Sequence, residues 1–125
     1  MQVVNTNNAP QAIGSYNQAM ICGNTVYISG QIPLDKDSMQ ICSEDIGEQI
    51  QQVFDNLSAV CEAAGGSLQN IAKLTIYLTD LSCFSLVNEI MSKNINEPYP
   101  ARAAVEVKAL PKAAQVEMDA IMVLE

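Results

Sequence analysis

Apolar residues recur every three or four positions through the middle of the chain, which is the spacing of one face of an α-helix. The stripe comprises Ile46, Ile50, Val53, Phe54, Leu57, Val60, Cys61 and Ala64. Ser43, followed by Glu44 and Asp45, predicts the N-cap, and Gly65-Gly66 predicts the end of the helix. We interpret the stripe as core packing and not as a cofactor-binding surface.

A second, shorter helix is predicted between residues 80 and 96. It begins near Asp80 or Ser82 and ends by Asn96, because Pro98 and Pro100 follow and cannot continue it. The residues that this helix directs inward are Phe84, Val87 and Met91.

Two short apolar runs, residues 18–22 and 25–29, flank Gly23-Asn24. This dipeptide is typical of two-residue loops between antiparallel strands, so the runs predict a β-hairpin. Gly30 follows the second strand and would let the backbone approach a ligand closely. The alternative is a simple bulge or bend before Pro33.

The remaining strands are predicted from alternation. Residues 73–78 alternate as a half-buried strand does, with Leu74, Ile76 and Leu78 on one face. Further strands are predicted at Val3-Val4, 103–107 and Val116–Val123, with a turn through residues 110–112.

The order of elements predicts one sheet with two helices on one face, a two-layer α+β fold in a single domain spanning residues 1–125. The last predicted strand has apolar residues on both sides, including the side that would form the open face of the sheet. Alternate residues Val116, Met118, Ala120 and Met122 share one side, and the opposite side combines Glu117 and Asp119 with Ile121 and Val123. Apolar residues on both sides predict that the open face is partly covered.

Composition narrows the possible partners and compartments. The 125 residues are 49% hydrophobic and carry a formal charge of −8, with six basic side chains and no basic run, which disfavours nucleic-acid binding. No apolar stretch is long enough for a membrane span, and the start of the chain has no signal-peptide pattern. Four dispersed cysteines without histidine disfavour a zinc site, and we expect reduced thiols and a cytoplasmic location.

Arg102 is the only arginine of the chain. An anionic ligand that requires a planar, permanently charged donor must therefore be held by this residue. Pro100 restricts the backbone just before it, so the guanidinium group is presented from a defined position. Residue chemistry alone leaves open the alternative of a surface arginine in a salt bridge.

Three separate stretches carry a resemblance to a known family. They are APQAIGSYNQA at 9–19, YISGQIPL at 27–34, and the run 99–118, which contains Pro-Ala-Arg, Val-Glu-Val, Leu-Pro-Lys and Val-Glu-Met in this order. In motif, order and length the chain resembles the reactive intermediate deaminase A (RidA/YjgF) family, formerly named endoribonuclease L-PSP. The resemblance implies a chorismate mutase-like fold and a homotrimer with its sites in the clefts between subunits.

The resemblance also implies an activity: hydrolysis of 2-enamine and 2-imine acids, such as 2-iminobutanoate and 2-iminopropanoate, to 2-keto acids and ammonia. These acids are released by PLP-dependent enzymes such as threonine and serine dehydratases. No metal or organic cofactor is needed. The implied catalytic residues are Arg102, which holds the carboxylate, and Glu117, which activates water; the implied substrate-binding residues are Tyr16, Ser29, Gly30, Asn88 and Ala104.

Several of these residues have a structural alternative. Tyr16 could anchor a loop, Ser29 could bond a neighbouring strand, Asn88 could be a solvated helix residue and Glu117 an outward strand charge. The chain also departs from the family pattern: Ala104 stands where Cys is common, and the segment from Asn88 to Arg102 is a few residues short.

Two other functions remain open from the sequence. One is an endoribonuclease acting on single-stranded RNA, which the absence of histidine and the acidic charge disfavour. The other is a non-catalytic trimer that binds a metabolite and regulates a partner, which would use the same arginine.

Overall fold

A six-stranded mixed sheet forms the centre of the computed structural model, which describes residues 1–125. Its strands are β1 (Gln2–Val4), β2 (Ala19–Cys22), β3 (Thr25–Gln31), β4 (Ile71–Leu78), β5 (Ala101–Glu106) and β6 (Val116–Val123). They lie in the order β1-β2-β3-β6-β4-β5. The pair β4–β5 is parallel and every other pair is antiparallel. The predicted α+β class with one mixed sheet is confirmed.

The predicted hairpin is confirmed between β2 and β3. Cys22 pairs with Thr25 across the loop, and Gly23 takes a positive φ of 62°, which glycine adopts without strain. Farther along β3, the register with β6 shifts between Ile28 and Gln31. Gly30 therefore lies in a bulge, as the alternative interpretation of this glycine predicted.

The first helix, α1 (Ile46–Ala63), carries the predicted stripe but begins later than predicted. Its N-cap is Asp45 and not Ser43, because the Asp45 carboxylate accepts a hydrogen bond from the Glu48 amide at 2.9 Å. The Ser43 hydroxyl instead accepts from the Asp45 amide, at 3.0 Å, and organises the preceding turn. The helix ends as predicted at Gly65-Gly66, with Gly65 at a φ of 97°.

The second helix, α2 (Phe84–Asn94), is preceded by a short 3₁₀ turn, Leu81–Cys83. Asp80 caps that turn by accepting from the Ser82 amide at 3.0 Å, so Asp80 marks the start of the turn and the α-helix begins four residues later. Val87 and Met91 are buried as predicted, whereas Phe84 is half-buried.

Both helices pack on one face of the sheet and enclose a core of 24 buried residues. Its largest side chains include Phe54, Ile50, Leu57, Leu74, Met118 and Met122. The opposite, open face exposes Val3, Tyr27, Val105 and Val123, between 37% and 53% of whose surface is accessible. None of the helices has the length and apolar character that crossing a membrane requires.

Candidate active site

Arg102 lies on the edge strand β5 and points toward the helices. It pairs with Leu74 of β4, whose side chain is buried under the helices, so both side chains share that face. The Arg102 guanidinium donates through Nη1 to Oδ1 of Asn88 on α2. Asn88, which the family resemblance implies as a substrate-binding residue, therefore contacts the arginine directly.

Two further side chains of α2 position the guanidinium group. Its Cζ atom lies 4.7 Å from the centre of the Phe84 ring, and Nη1 lies 3.6 Å from Sδ of Met91. The Phe84 contact has the distance of a cation–π interaction. Phe84, Asn88 and Met91 are spaced four and three residues apart, which places them on one helical face. These contacts hold the arginine in one orientation.

Arg102 has no carboxylate partner. The two ion pairs of the structure join Lys36 to Asp37 and Lys93 to Glu89. The salt-bridge alternative for Arg102 is therefore wrong, and its charge is free to bind an anion. A cavity of about 410 Å³ opens beside it. The cavity is lined by Asn88, Met91, Ser92, Tyr99, Pro100 and Arg102.

Glu117 lies on β6 and points toward the open face of the sheet. Its neighbours along the strand, Val116 and Met118, are buried in the core, and its cross-strand partner on β4 is Tyr77. A methyl group placed on Gly30 would overlap Oε2 of Glu117, so the bulge in β3 leaves the space that this carboxylate fills. Burial raises the pKa of Glu117, and the charge of Asp119 raises it further.

Tyr16 and Ser29 lie at the loop beside the bulge. The Tyr16 hydroxyl accepts a hydrogen bond from the Ile13 amide at 3.3 Å, and half of Tyr16 remains exposed. The Ser29 hydroxyl donates to the carbonyl of Asn17 at 2.5 Å, which ties this loop to β3. Both hydroxyl groups thus hold the loop in the isolated chain. A cavity of about 350 Å³ lies here and includes Tyr16 and Gly30 in its lining.

The predicted residues thus form two separate groups within one chain. Arg102, Asn88 and Ala104 lie on the helix side near the edge of the sheet, where Ala104 pairs with the buried Ile76. Tyr16, Ser29, Gly30 and Glu117 lie at β3 and β6. Because β4 separates β6 from β5, and the Arg102 and Glu117 side chains leave opposite faces, one chain does not bring these two together.

Sequence reasoning missed the roles of Phe84 and of the Tyr77–Asp119 pair. Phe84 was predicted only as a core residue, although its spacing of four from Asn88 would have placed both on one helical face. The Tyr77 hydroxyl donates to Oδ2 of Asp119 at 2.8 Å across β4 and β6. No local signal indicates that contact, because it depends on the register of two strands about 40 residues apart.

Comparison with known proteins agrees with this fold. The family model described as endoribonuclease L-PSP matches residues 6–124. A RutC family protein of Pyrococcus abyssi is 45% identical over 96% of this chain and 94% of its own length. The human protein named 2-iminobutanoate/2-iminopropanoate deaminase is 40% identical over 98% of this chain and 89% of its own.

Among solved structures, RidA from an Antarctic Psychrobacter species superposes with a TM-score of 0.96 at 50% identity, covering 99% of this chain and 100% of that one. The chain belongs to the RidA/YjgF family, whose matching family model bears the older description endoribonuclease L-PSP. The family includes proteins named as imine deaminases and others named only as RutC family proteins.

Proposed function

We propose that this protein hydrolyses 2-imino acids, with 2-iminobutanoate and 2-iminopropanoate as substrates, to 2-keto acids and ammonia. The observation that carries the proposal is Arg102, whose guanidinium group is oriented by Phe84, Asn88 and Met91 and has no carboxylate partner. A carboxylate is the planar anion that this fork binds through two parallel hydrogen bonds. Relatives at about 40% identity that are named for this deaminase activity support the assignment.

The proposed reaction adds one water molecule to the C=N carbon. Glu117 accepts a proton from the water as its oxygen attacks carbon 2, and then delivers that proton to the imine nitrogen. The hydroxyl proton of the resulting carbinolamine passes through Glu117 to the amino nitrogen while the C–N bond breaks, which releases ammonia and the keto acid. An enamine enters the same sequence after tautomerisation to the imine. The raised pKa of Glu117 favours its role as the proton acceptor.

The proposed assembly is a homotrimer with the sites between subunits. Arg102 and Glu117 lie on opposite sides of the sheet in one chain, so a complete site requires these residues from neighbouring subunits. The open face supports the same assembly, because Val3, Tyr27 and Val123 expose apolar surface there. In this arrangement Tyr16, Ser29 and Gly30 of one subunit would line the cleft that faces the Arg102 cavity of the next.

The protein would act in the cytoplasm beside PLP-dependent dehydratases, which release the unstable substrates. The four cysteines are free thiols, as in a reducing compartment. The residues assigned to the reaction supply charge, hydrogen bonds and one carboxylate, and the proposed steps need no cofactor. Nucleic-acid binding plays no part in this proposal, given six basic against fourteen acidic side chains.

The test is the lifetime of the imine formed when threonine dehydratase acts on threonine. Wild-type protein is expected to accelerate loss of the imine signal and formation of 2-ketobutanoate, and Arg102→Ala is expected to abolish the acceleration. Wild-type protein that binds 2-ketobutanoate without accelerating imine loss would instead be a metabolite-binding protein. Cleavage of single-stranded RNA by the same preparation, sensitive to Arg102→Ala, would favour the ribonuclease.

A further inference from the structure

Asp119 and Tyr77 form a hydrogen-bonded pair directly beside Glu117. Asp119 follows Glu117 by two positions on β6, so both carboxylates leave the same face of the strand about 7 Å apart at the backbone. Tyr77 stands opposite Glu117 on β4, and its hydroxyl donates to Oδ2 of Asp119 at 2.8 Å. Tyr77 thus stands across from Glu117 and anchors Asp119.

The surroundings of this pair contain no cation in contact with either carboxylate. On β4 the same face carries Lys73, which stands opposite Ile121 and makes no ion pair. On β3 the same face carries Tyr27, which also stands opposite Ile121. On β5 this face carries only side chains that do not titrate: Ala101, Ala103 and Val105. Within one chain the negative charge of Asp119 therefore acts on Glu117 without a neutralising partner. In the proposed trimer the Arg102 guanidinium of the neighbouring subunit would act on Glu117 in the opposite direction.

We propose that Asp119, anchored by the Tyr77 hydroxyl, is a positioning residue that makes the Glu117 carboxylate a better proton acceptor for the attacking water. This inference rests on the proposed function, in which Glu117 is the base. The Tyr77 hydrogen bond holds the Asp119 carboxylate in one orientation. A fixed negative charge beside a carboxylate favours binding of a proton to that carboxylate.

The direction of the effect agrees with the environment of each group. Burial is the largest cause that raises the pKa of Glu117, and the charge of Asp119 is the second. The hydrogen bond to Asp119 is the largest cause that raises the pKa of Tyr77, so the phenol keeps its proton and remains the donor. Glu117 is left as the group that exchanges a proton during turnover.

The experiment measures the titration midpoint of Glu117 by NMR of glutamate labelled with ¹³C at the side-chain carboxyl, with Glu117→Gln assigning the signal. In Asp119→Asn, which keeps the acceptor for Tyr77 but removes the charge, the midpoint is expected to move to lower pH. The acid limb of the kcat/KM profile for imine hydrolysis is expected to move in the same direction. Tyr77→Phe, which frees Asp119, is expected to give a smaller shift of the same sign.

Asp55→Asn is the matched control, because it removes the same charge from the exposed surface of α1, on the other side of the sheet. It is expected to leave both the midpoint and the acid limb in place. An unchanged midpoint in Asp119→Asn, or an equal shift in Asp55→Asn, would overturn the positioning role. Failure of the proposed function itself would give a different result, because then neither Arg102→Ala nor Glu117→Gln would change the rate of imine hydrolysis.

Discussion

A guanidinium group without a carboxylate partner keeps its full charge for a ligand, and Arg102 meets this condition. Asn88 supplies a neutral acceptor, Phe84 an aromatic face and Met91 a polarisable sulfur, so the group is oriented without being neutralised. Since no other arginine exists in the chain, the loss of this one cannot be compensated by a neighbour of the same geometry.

Arg102→Lys is expected to lower kcat/KM for imine hydrolysis by roughly 10- to 100-fold, because lysine keeps the charge but loses the bidentate pair, worth about 1.5–3 kcal/mol. The measurement is steady-state turnover in the coupled threonine dehydratase assay. Lys93→Arg, a conservative change in an exposed ion pair of α2, serves as the control and should retain wild-type activity. Turnover near the wild-type level in Arg102→Lys would mean that the substrate carboxylate is held elsewhere.

Glu117→Gln is expected to fold, to bind keto acids normally and to turn over about 10²-fold more slowly, because the basic oxygen is lost.

Glu117→Gln should also melt at a higher temperature than wild type at neutral pH. The folded-state pKa of Glu117 is raised, so its favourable contribution is complete below its unfolded pKa and is lost as pH rises through the folded pKa. The difference in Tm should therefore shrink when melting is repeated at acidic pH, and a difference independent of pH would contradict this reasoning.

The bulge in β3 determines where the Glu117 carboxylate can lie, because Gly30 offers no side chain to displace it. Gly30→Ala would place a methyl group on Oε2 of Glu117, so the carboxylate must move. We expect a loss of turnover of at least about 10-fold with the fold retained, the loss reflecting misplacement of the proton acceptor. Activity is measured by imine hydrolysis and folding by circular dichroism.

Gly65→Ala is the contrasting variant for that experiment. Gly65 has a φ of 97° and open space around it, so alanine there strains the end of α1 without touching the site. It should lower stability by about 1–2 kcal/mol and leave turnover intact. Equal activity of Gly30→Ala and wild type would show that Glu117 does not need its observed position.

At the scale of helices and strands, the sequence predicts the periodic elements well. The stripe in α1, the Gly23-Asn24 hairpin and the alternation of β6 all follow from local patterns. The N-cap was misassigned because Ser43 and Asp45 both suit the role, and the choice depends on which side chain reaches a free amide. The bulge at Gly30 was one of two local interpretations, but the contact of Gly30 with Glu117 could not be predicted locally, because Glu117 lies on a strand late in the sequence.

In the whole molecule, the division of the site is the feature that local patterns could not predict. Arg102 and Glu117 each follow from a motif, but their placement on opposite sides of one sheet is a consequence of strand order. A homotrimer whose subunits bury their open faces against one another would explain both the divided site and the apolar side chains on that face. Sedimentation of a stable monomer at micromolar concentration would contradict both.

The sharpest test of an interfacial site mixes two inactive variants. Chains carrying Arg102→Ala retain Glu117, and chains carrying Glu117→Gln retain Arg102, so a site between one chain of each kind can be intact. Random co-assembly of equal amounts should restore about a quarter of the wild-type activity, since each site draws its two residues from independently chosen subunits. The measurement is imine hydrolysis after co-expression, compared with a mixture of the two separately purified variants. No recovery in co-expressed trimers, with both variants confirmed as folded and co-assembled, would place Arg102 and Glu117 in the same chain's site.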